Sequence, residues 1–389
     1  MNIVVVGGGL AGASAVQELR DQGYRDDLVL IGAEPHLPYE RPPLSKGLLL
    51  GTDEPASVFV HDQQWYADHD VDVRLGTQVT DLDLDRCHLG LAGEEIGYDR
   101  LLLATGAAPR RLPVLDSSYV EVLHLRTLDD ALTLRSRLSG HVLIVGAGWI
   151  GLEVASAARQ AGAAVTVVES ASQPLLGVLG PQLAPLFADL HREHGVDLRL
   201  GTSIDSLEGP EVVLSDGRRL SPDLIVVGIG ATPRDGLAAG AGLATDNGVL
   251  VDACLRSSDP HVYAAGDVAN HEHPDLGRIR VEHWDNAIEQ GRHAARSMLG
   301  HDAPYTRLPY FFTDQYDLGM EYVGHVGGAG HDEVVIRGSL EKKVITAFWI
   351  RDRRVVAGLH INDWDAIDSI RRIVAAGTTD VDLLGDTTP

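Results

Sequence analysis

The chain has 389 residues, of which 44% are hydrophobic, and its formal net charge is −24. This length predicts two or three domains, and the composition is that of a folded chain, not a disordered one. The acidic balance argues against nucleic acid or an anionic membrane as the main partner, and no apolar run approaches the roughly eighteen residues of a membrane span.

The N-terminal residues MNIVVVGGG begin directly on a strand-like run, with no basic segment before it. This pattern is not that of a signal peptide and predicts a cytoplasmic protein. The two cysteines, Cys87 and Cys254, form no CxxC pair, which argues against a disulfide framework or a zinc ribbon. The 17 histidines show no metal-ligand spacing, so no metal site is predicted.

The first predicted strand leads into a glycine-rich turn. Residues 2–6 are apolar and are followed by Gly7-Gly8-Gly9-Leu10-Ala11-Gly12 and then by a helical pattern. In this GxGxxG spacing the first glycine permits the tight turn, the second lets backbone approach a pyrophosphate, and the third lets the helix pack on the strand. The helix N-terminus offers N–H groups to phosphates. A second strand, 28–31, ends near Glu34, whose carboxylate can accept hydrogen bonds from a ribose.

The same arrangement recurs further along the chain. A strand at 141–145 is followed by Gly146-Ala147-Gly148-Trp149-Ile150-Gly151 and a helix, and the next strand ends at Glu169. Two complete arrangements in one chain indicate a pair of dinucleotide-binding domains. A carboxylate at this strand end bonds a ribose 2′-hydroxyl and repels a 2′-phosphate, so Glu169 predicts a preference for NADH over NADPH.

Three further apolar runs end in small residues, where a buried strand would reach a cofactor. They end in Ala104-Thr105-Gly106, in Gly228-Ile229-Gly230 and in Gly266-Asp267. A carboxylate beside a glycine at a strand end can reach a cofactor hydroxyl, whereas Gly-Asp alone is more often just a turn.

Together these residues resemble the FAD- and NADH-dependent ferredoxin reductases of bacterial oxygenase systems, which have the glutathione-reductase fold, and the match runs in order over nearly the whole chain. The resemblance implies an α/β fold with two Rossmann-like domains and a smaller α+β C-terminal domain. We expect an FAD-binding domain at 1–113 and 238–305, an NAD-binding domain at 114–237, and a C-terminal domain at 306–389. In the last domain, strands are predicted near 334–336, 343–350 and 355–361, and a helix over 364–375.

The resemblance also implies the site residues. Those that would bind FAD are Gly7, Gly9, Leu10, Ala11, Gly12, Glu34, Arg41, Lys46, Val79, Ala104, Thr105, Gly106, Arg126, Gly266, Asp267, Glu282, His283, Trp284 and Ala287. Those that would bind NADH are Gly146, Gly148, Trp149, Ile150, Gly151, Glu169, Gly228, Ile229 and Gly230. The catalytic pair would be Lys46, beside the flavin N5, and Glu153.

The predicted activity transfers a hydride from NADH to FAD and then single electrons to an iron–sulfur ferredoxin (2Fe-2S or related) that feeds an oxygenase. Lys46 is one of only three lysines among the 32 basic residues. A compact ammonium can donate to N5 and the neighbouring carbonyl and favours the electron-rich reduced ring. A buried lysine tends to lose its proton unless it is paired, and Glu153 is the candidate partner.

The chain departs from the family pattern in two places. Gly177 stands where relatives often carry an arginine, and the segment Tyr310-Phe311-Phe312-Thr313-Asp314-Gln315-Tyr316 lacks the family's two tryptophans. Its aromatic residues indicate either a packed strand or an electron path. The basic doublets at 342–343, 353–354 and 371–372 fit either docking of an acidic ferredoxin or surface solvation.

Two alternatives remain open at the level of sequence. The first is an NADH oxidase, or a reductase of rubredoxin or of a small molecule, on the same fold. The second belongs to another class, a flavin-holding interaction protein resembling apoptosis-inducing factor. Thioredoxin and glutathione reductases are disfavoured because they need a redox-active cysteine pair, which this chain lacks.

Overall fold

The computed structural model describes residues 1–377, which fall into two compact units. The first unit combines Met1–Glu40, Ala56–Ala108 and Thr232–Pro309. The second combines Arg41–Pro55, Pro109–Ala231 and the described residues from Tyr310 onward. The division into three domains stays a prediction, and residues 378–389 of the third lie outside the described residues.

A five-stranded parallel sheet forms the centre of the first unit. Its strands are, in spatial order, Val262–Ala264, Arg100–Leu103, Ile3–Val6, Leu28–Ile31 and Val71–Arg74. The two strands Ile3–Val6 and Leu28–Ile31 are apolar and buried at every position, as expected of a sheet covered on both faces. Helices Leu10–Asp21 and Trp284–Met298 pack against each other and against this sheet.

The first unit has smaller elements around this sheet. One antiparallel sheet contains the strands Asp81–Asp83, His88–Leu91 and Glu94–Gly97. In a second small sheet, strand Ala269–His273 pairs antiparallel with Gly277–Arg280 and parallel with Val249–Val251. Short helices span Gln63–Asp68, Gly236–Gly240 and Gly266–Val268.

The second unit contains another five-stranded parallel sheet. Its strands are, in spatial order, Asp197–Leu200, Ala164–Glu169, His141–Val145, Leu224–Val227 and Val122–Leu123. Its helices and helical turns are Pro42–Ser45, Gly47–Leu50, Pro113–Leu115, Leu128–Arg135, Trp149–Gln160 and Leu176–Glu193. A three-stranded antiparallel sheet comprises Ile204–Glu208, Glu211–Leu214 and Arg219–Leu220.

The second unit also contains a five-stranded antiparallel sheet built from the C-terminal part of the chain. Its strands are, in spatial order, Tyr310–Gln315, Leu318–Gly324, Arg354–Ile361, Val344–Arg351 and Glu333–Ser339. The aromatic segment is therefore an edge strand among the described residues. The final helix, Ile367–Ala376, starts three residues later than predicted, because Trp364 lies across Gly319, whose added Cβ would be 2.2 Å from the indole ring.

These sheets confirm the predicted fold class. Two parallel sheets flanked by helices are the Rossmann-like arrangements expected from the two glycine-rich turns. The antiparallel sheet with one helix is the expected α+β part of the chain. In each parallel sheet the first strand of the glycine-rich arrangement lies between two parallel neighbours, so the turn that follows it emerges at the carboxyl edge of the sheet.

Two buried histidines predict a loss of stability in acid. His191 in the second unit and His271 in the first are 0% and 1% exposed, and burial lowers the pKa of each from 6.5 to about 4. In the unfolded chain these histidines take up protons near pH 6.5, so above that pH both are neutral and the free energy of unfolding has its full value. Between pH 6.5 and pH 4 we expect each histidine to lower the free energy of unfolding by about 1.4 kcal/mol for every unit of pH. Below about pH 4 the loss levels off. Urea unfolding at pH 7 and pH 5 measures this loss.

The variant His271→Gln provides the matched comparison for the first unit. It removes one titrating group but keeps a side chain that can accept from Gln290, whose Nε2 lies 3.2 Å from His271 Nδ1. We expect its loss of unfolding free energy between pH 7 and pH 5 to be about 2 kcal/mol smaller than that of the native chain. An equal loss in both proteins would contradict the assignment.

Candidate active site

In the first glycine-rich turn, two of the three glycines are required by the chain itself. A Cβ added to Gly7 (φ 127°) would lie 2.0 Å from the carbonyl oxygen of Ala104, and one added to Gly12 would lie 2.1 Å from that of Gly7. Gly9 is different, because an added Cβ would meet no atom within 4 Å. The open space lies at the N-terminus of helix Leu10–Asp21, where backbone N–H groups attract phosphates. This turn therefore fits the pyrophosphate of a dinucleotide.

The second glycine-rich turn repeats this pattern. A Cβ added to Gly146 would lie 2.5 Å from the carbonyl oxygen of Gly228, and a Cβ added to Gly151 would lie 2.1 Å from the carbonyl oxygen of Gly146. At Gly148 the nearest atom would be 4.0 Å away, again at the start of a helix, Trp149–Gln160. The predicted residues Gly146, Gly151 and Gly228 are thus in contact with one another, and Gly148 faces open space.

A cleft of about 160 Å³ lies beside the second turn. It is lined by Leu112, Val145, Gly146, Val168, Glu169, Ser170, Thr202, Ser203, Ile204 and Ile229. No lysine or arginine is among these described lining residues, so the cleft offers no cation to a 2′-phosphate. The Glu169 carboxylate is fixed in place, because it accepts hydrogen bonds from the N–H groups of Ala147 at 2.7 Å and Ala171 at 2.8 Å.

The first unit brings together predicted residues that are far apart in sequence. An added Cβ at Gly266 would lie 3.0 Å from the Cβ of Ala11 and 3.9 Å from that of Ala287, so three separate segments meet at the first turn. The Gly266 N–H donates to Gln290 Oε1 at 2.9 Å. Gln290 is fully buried and has no counterpart among the predicted site residues, since nothing local in the sequence marks it.

Other predicted residues of this unit have the following partners. Glu34 accepts from the hydroxyl of Tyr39, and the Thr105 hydroxyl donates to the carbonyl of Arg234 at 2.7 Å. Arg280 donates to the carbonyl of Asp267 at 2.9 Å and to Glu282 at 2.6 Å. Trp284 begins its helix directly after His283, and burial raises the pKa of the nearby Glu40 carboxyl. Val79 is part of the buried core.

In the second unit, Lys46 and Glu153 form an ion pair, as the sequence predicts. Lys46 Nζ lies 2.9 Å from Glu153 Oε2, and the two side chains are 19% and 4% exposed. Lys46 stands between the helical turn Pro42–Ser45 and the short helix Gly47–Leu50, whereas Glu153 lies on helix Trp149–Gln160. Near them, Arg41 donates to the carbonyl of Arg126, so the two arginines predicted for FAD also meet.

Three residues around this ion pair are not predicted by the sequence as its partners. The Ser45 hydroxyl donates to Glu153 Oε2 at 2.5 Å, and the Thr313 hydroxyl donates to Glu153 Oε1 at 2.6 Å. Lys46 Nζ lies 5.3 Å from the centre of the Phe312 ring, within the range of a cation–π contact. A buried charge needs such partners, because an unpaired one is costly.

Metal and thiol chemistry find no support in the described residues. Within residues 1–377 no group of three or more His, Cys, Asp or Glu side chains could hold a metal ion. Cys87 and Cys254 are both free thiols, and burial raises the pKa of each, which lowers the population of the reactive thiolate. The search of the same residues for a helix long and apolar enough to cross a membrane found none.

Two protein-family models match this chain. The model of the pyridine nucleotide-disulphide oxidoreductases matches residues 1–291, and the reductase C-terminal model matches residues 310–388. The chain belongs to the pyridine nucleotide-disulphide oxidoreductase family, and the prediction of an oxidoreductase is confirmed.

Known relatives identify the branch of this family. The chain is 35% identical to putidaredoxin reductase of Pseudomonas putida, covering 99% of this chain and 94% of the relative. It is 38% identical to the ferredoxin–NAD(+) reductase component of the anthranilate 1,2-dioxygenase system of Burkholderia cepacia, covering 96% and 94%. The structure superimposes on the covalent putidaredoxin reductase–putidaredoxin complex with a TM-score of 0.95 and 35% identity, covering 99% and 96%. The predicted resemblance to ferredoxin reductases is confirmed.

Proposed function

We propose that this chain is an FAD-containing ferredoxin reductase that takes electrons from NADH and passes them singly to an iron–sulfur ferredoxin serving an oxygenase. One observation carries the proposal. The fold with two glycine-rich turns matches, over 99% of the chain, a reductase solved together with its ferredoxin. We also propose a cytoplasmic location.

The residues that would bind FAD fall into two sets, as the family resemblance implies. The first set is Gly7, Gly9, Leu10, Ala11, Gly12, Glu34, Val79, Ala104, Thr105, Gly106, Gly266, Asp267, Glu282, His283, Trp284 and Ala287. The second set is Arg41, Lys46 and Arg126. Open space at Gly9 and the meeting of Ala11, Gly266 and Ala287 support the first set. The contact of Arg41 with Arg126 supports the second.

When bound, FAD supplies the conversion between hydride and single-electron transfer. The protein contributes charge and orientation. The carboxylate of Glu153 balances the charge of the Lys46 ammonium, so this mostly buried cation has an ionic partner. The cation stabilises added negative charge, and it acts strongly because water is largely excluded. No side chain serves as a nucleophile in this scheme.

NADH would bind at the second turn and its cleft through Gly146, Gly148, Trp149, Ile150, Gly151, Glu169, Gly228, Ile229 and Gly230. The carboxylate of Glu169 lines the cleft and is held by two backbone N–H groups, so it can meet a ribose without reorganising. No arginine is among the described residues that line the cleft, which favours a dinucleotide that carries no 2′-phosphate.

Replacing Glu169 by glutamine tests the preference for NADH. The amide keeps an acceptor for the ribose but removes the charge that repels a 2′-phosphate. We expect the ratio of kcat/KM for NADH to that for NADPH to fall roughly tenfold. Steady-state kinetics with both donors measure the ratio, and Ser203→Ala is the control because it alters another lining residue of the cleft without changing charge. A ratio equal to that of the native enzyme would contradict this role of Glu169.

The proposed function is tested by following electrons through the holoenzyme. Anaerobic mixing with NADH should bleach the flavin absorption band within seconds or less. Reduction of cytochrome c by NADH should require an added ferredoxin. Slow bleaching would indicate the flavin-holding interaction protein instead. Fast bleaching with ferredoxin-independent oxidation of NADH would indicate an oxidase or a small-molecule reductase.

The basic doublets remain a proposal for the surface that meets an acidic ferredoxin. Lys342, Arg353, Arg354 and Arg372 are exposed, whereas Lys343 is engaged with Glu193 at 2.5 Å and Arg371 lies over the ring of Tyr310 at 4.5 Å. The exposed members are therefore the ones available for charge complementarity.

A further inference from the structure

A chain of hydrogen bonds extends from Glu153 into the interior of the second unit. The Thr313 hydroxyl donates to Glu153 Oε1 at 2.6 Å, and Gln315 Nε2 donates to the Thr313 oxygen at 3.1 Å. Gln315 Oε1 lies 2.8 Å from His191 Nε2. Thr313, Gln315 and His191 are at most 1% exposed, and Thr313 and Gln315 share the inward face of one strand because side chains two residues apart point the same way.

Charge on Glu153 dictates the direction of every bond in this chain. A carboxylate can only accept hydrogen bonds, so the Thr313 hydroxyl must donate its one hydrogen to Glu153. The Thr313 oxygen can then only accept from Gln315. The amide of Gln315 must therefore turn its NH₂ toward Thr313 and its oxygen toward His191. His191 must carry its proton on Nε2, and as burial lowers its pKa to about 4 it is a neutral, single donor at pH 7. Every donor points toward the carboxylate.

The carboxylate thus receives three donors from two separate parts of the unit. Ser45 and Lys46 bind Oε2 at 2.5 Å and 2.9 Å, and among residues 1–377 Thr313 alone binds Oε1. Without Thr313, one oxygen of a carboxylate that is 4% exposed would lose the one hydrogen bond that the described residues give it. Such a loss leaves a buried acceptor unsatisfied and frees the side chain to rotate. The same strand also places Phe312 near Lys46 Nζ.

We propose that Thr313, Gln315 and His191 are positioning residues that hold the Glu153 carboxylate in one orientation, and through it fix Lys46 at the reacting flavin. The part of this inference that concerns flavin chemistry rests on the proposed function, whereas the effect on Lys46 does not. None of the three residues touches the cofactor in this proposal. Their action is transmitted through one carboxylate.

The low number of lysines makes the effect on Lys46 directly measurable. Lysine labelled with ¹³C at Cε gives only three side-chain signals, from Lys46, Lys342 and Lys343, and the single variants Lys342→Arg and Lys343→Arg identify the latter two. Holoenzymes with Thr313→Val, Thr313→Ser and Gln315→Met are compared with the native protein. Thr346→Val, on another strand of the same sheet, is the control for losing a threonine hydroxyl.

We expect Thr313→Val to move the Lys46 signal while the other two stay in place, and Thr313→Ser to restore it. Gln315→Met should move it less in the same direction, and Thr346→Val should not move it. Reduction of the flavin at saturating NADH should slow about tenfold in Thr313→Val, with KM for NADH changed less than twofold.

The two readouts separate the inference from the proposed function. An unmoved Lys46 signal in both Thr313→Val and Gln315→Met, with melting temperatures like the native one, would overturn the positioning role. A moved signal with an unchanged reduction rate would support the positioning of Lys46 and overturn its proposed place beside the flavin. If Thr313→Val does not fold, Gln315→Met carries the same comparison.

Discussion

Replacing Lys46 by methionine should slow flavin reduction by NADH about a hundredfold while FAD stays bound. The substitution removes the charged donor that we place beside the flavin N5, and loss of such a preorganised donor costs about 10² to 10³ in rate. Stopped-flow mixing under anaerobic conditions measures the reduction, and FAD content measures retention of the cofactor. Lys342→Met, at an exposed lysine, should reduce at the native rate.

A second substitution at this position separates charge from shape. Lys46→Met leaves Glu153 buried without its ionic partner, which destabilises the protein, so its melting temperature should fall. Lys46→Arg keeps the charge and the ion pair, but its guanidinium is broader and planar. We expect Lys46→Arg to melt close to the native protein and still to reduce slowly. Native reduction rates in both variants would show that Lys46 does not act at the flavin.

The glycines of the first turn should respond to alanine in opposite ways. At Gly12 the new methyl group would be 2.1 Å from a backbone oxygen, so the turn must shift, and we expect the apoprotein to lose about 3 kcal/mol of unfolding free energy. At Gly9 the methyl group meets nothing, so the apoprotein should stay within about 1 kcal/mol of native while the Kd for FAD rises tenfold or more. Urea unfolding and fluorescence titration of the apoprotein with FAD measure the two quantities.

Each glycine variant is the control for the other, because both add one methyl group to the same turn. The informative comparison is Gly9→Ala, in which stability and cofactor affinity should separate. If Gly9→Ala bound FAD as tightly as the native protein, the open space at this glycine would not be the place of a phosphate.

Sequence predicted the parallel sheets and both turns well, because the signals are local. A buried strand, a GxGxxG turn and a helix are adjacent in the chain. Gly12 and Gly151 are required by contacts within their own turns, whereas Gly7 and Gly146 are required by the end of a strand that is a neighbour in the sheet but distant in sequence. The pairing of Lys46 with Glu153 came from the family resemblance, and the structure places these side chains in contact.

The partners of the ion pair could not be predicted in the same way. Thr313 meets Glu153 across 160 positions and Ser45 meets it across 108, and hydroxyl residues carry no periodicity that indicates their partner. Gln290 is similar, since a buried glutamine on an amphipathic helix is visible only once the helix is placed. Tertiary contacts of small polar side chains are therefore the part of this site that required coordinates.

The position of strand Tyr310–Gln315 affects how the enzyme would fail on heating. Among the described residues this strand pairs with one neighbouring strand only, Leu318–Gly324, so the sheet supports it along one edge. Edge strands detach at a lower free energy than the strands inside a sheet. Because the same strand carries Phe312 and Thr313, its fraying would remove the cation–π contact with Lys46 and the hydrogen bond to Glu153 Oε1, while the parallel sheet of the second unit stayed intact. Thermal inactivation would then precede global unfolding, and the enzyme could recover on cooling.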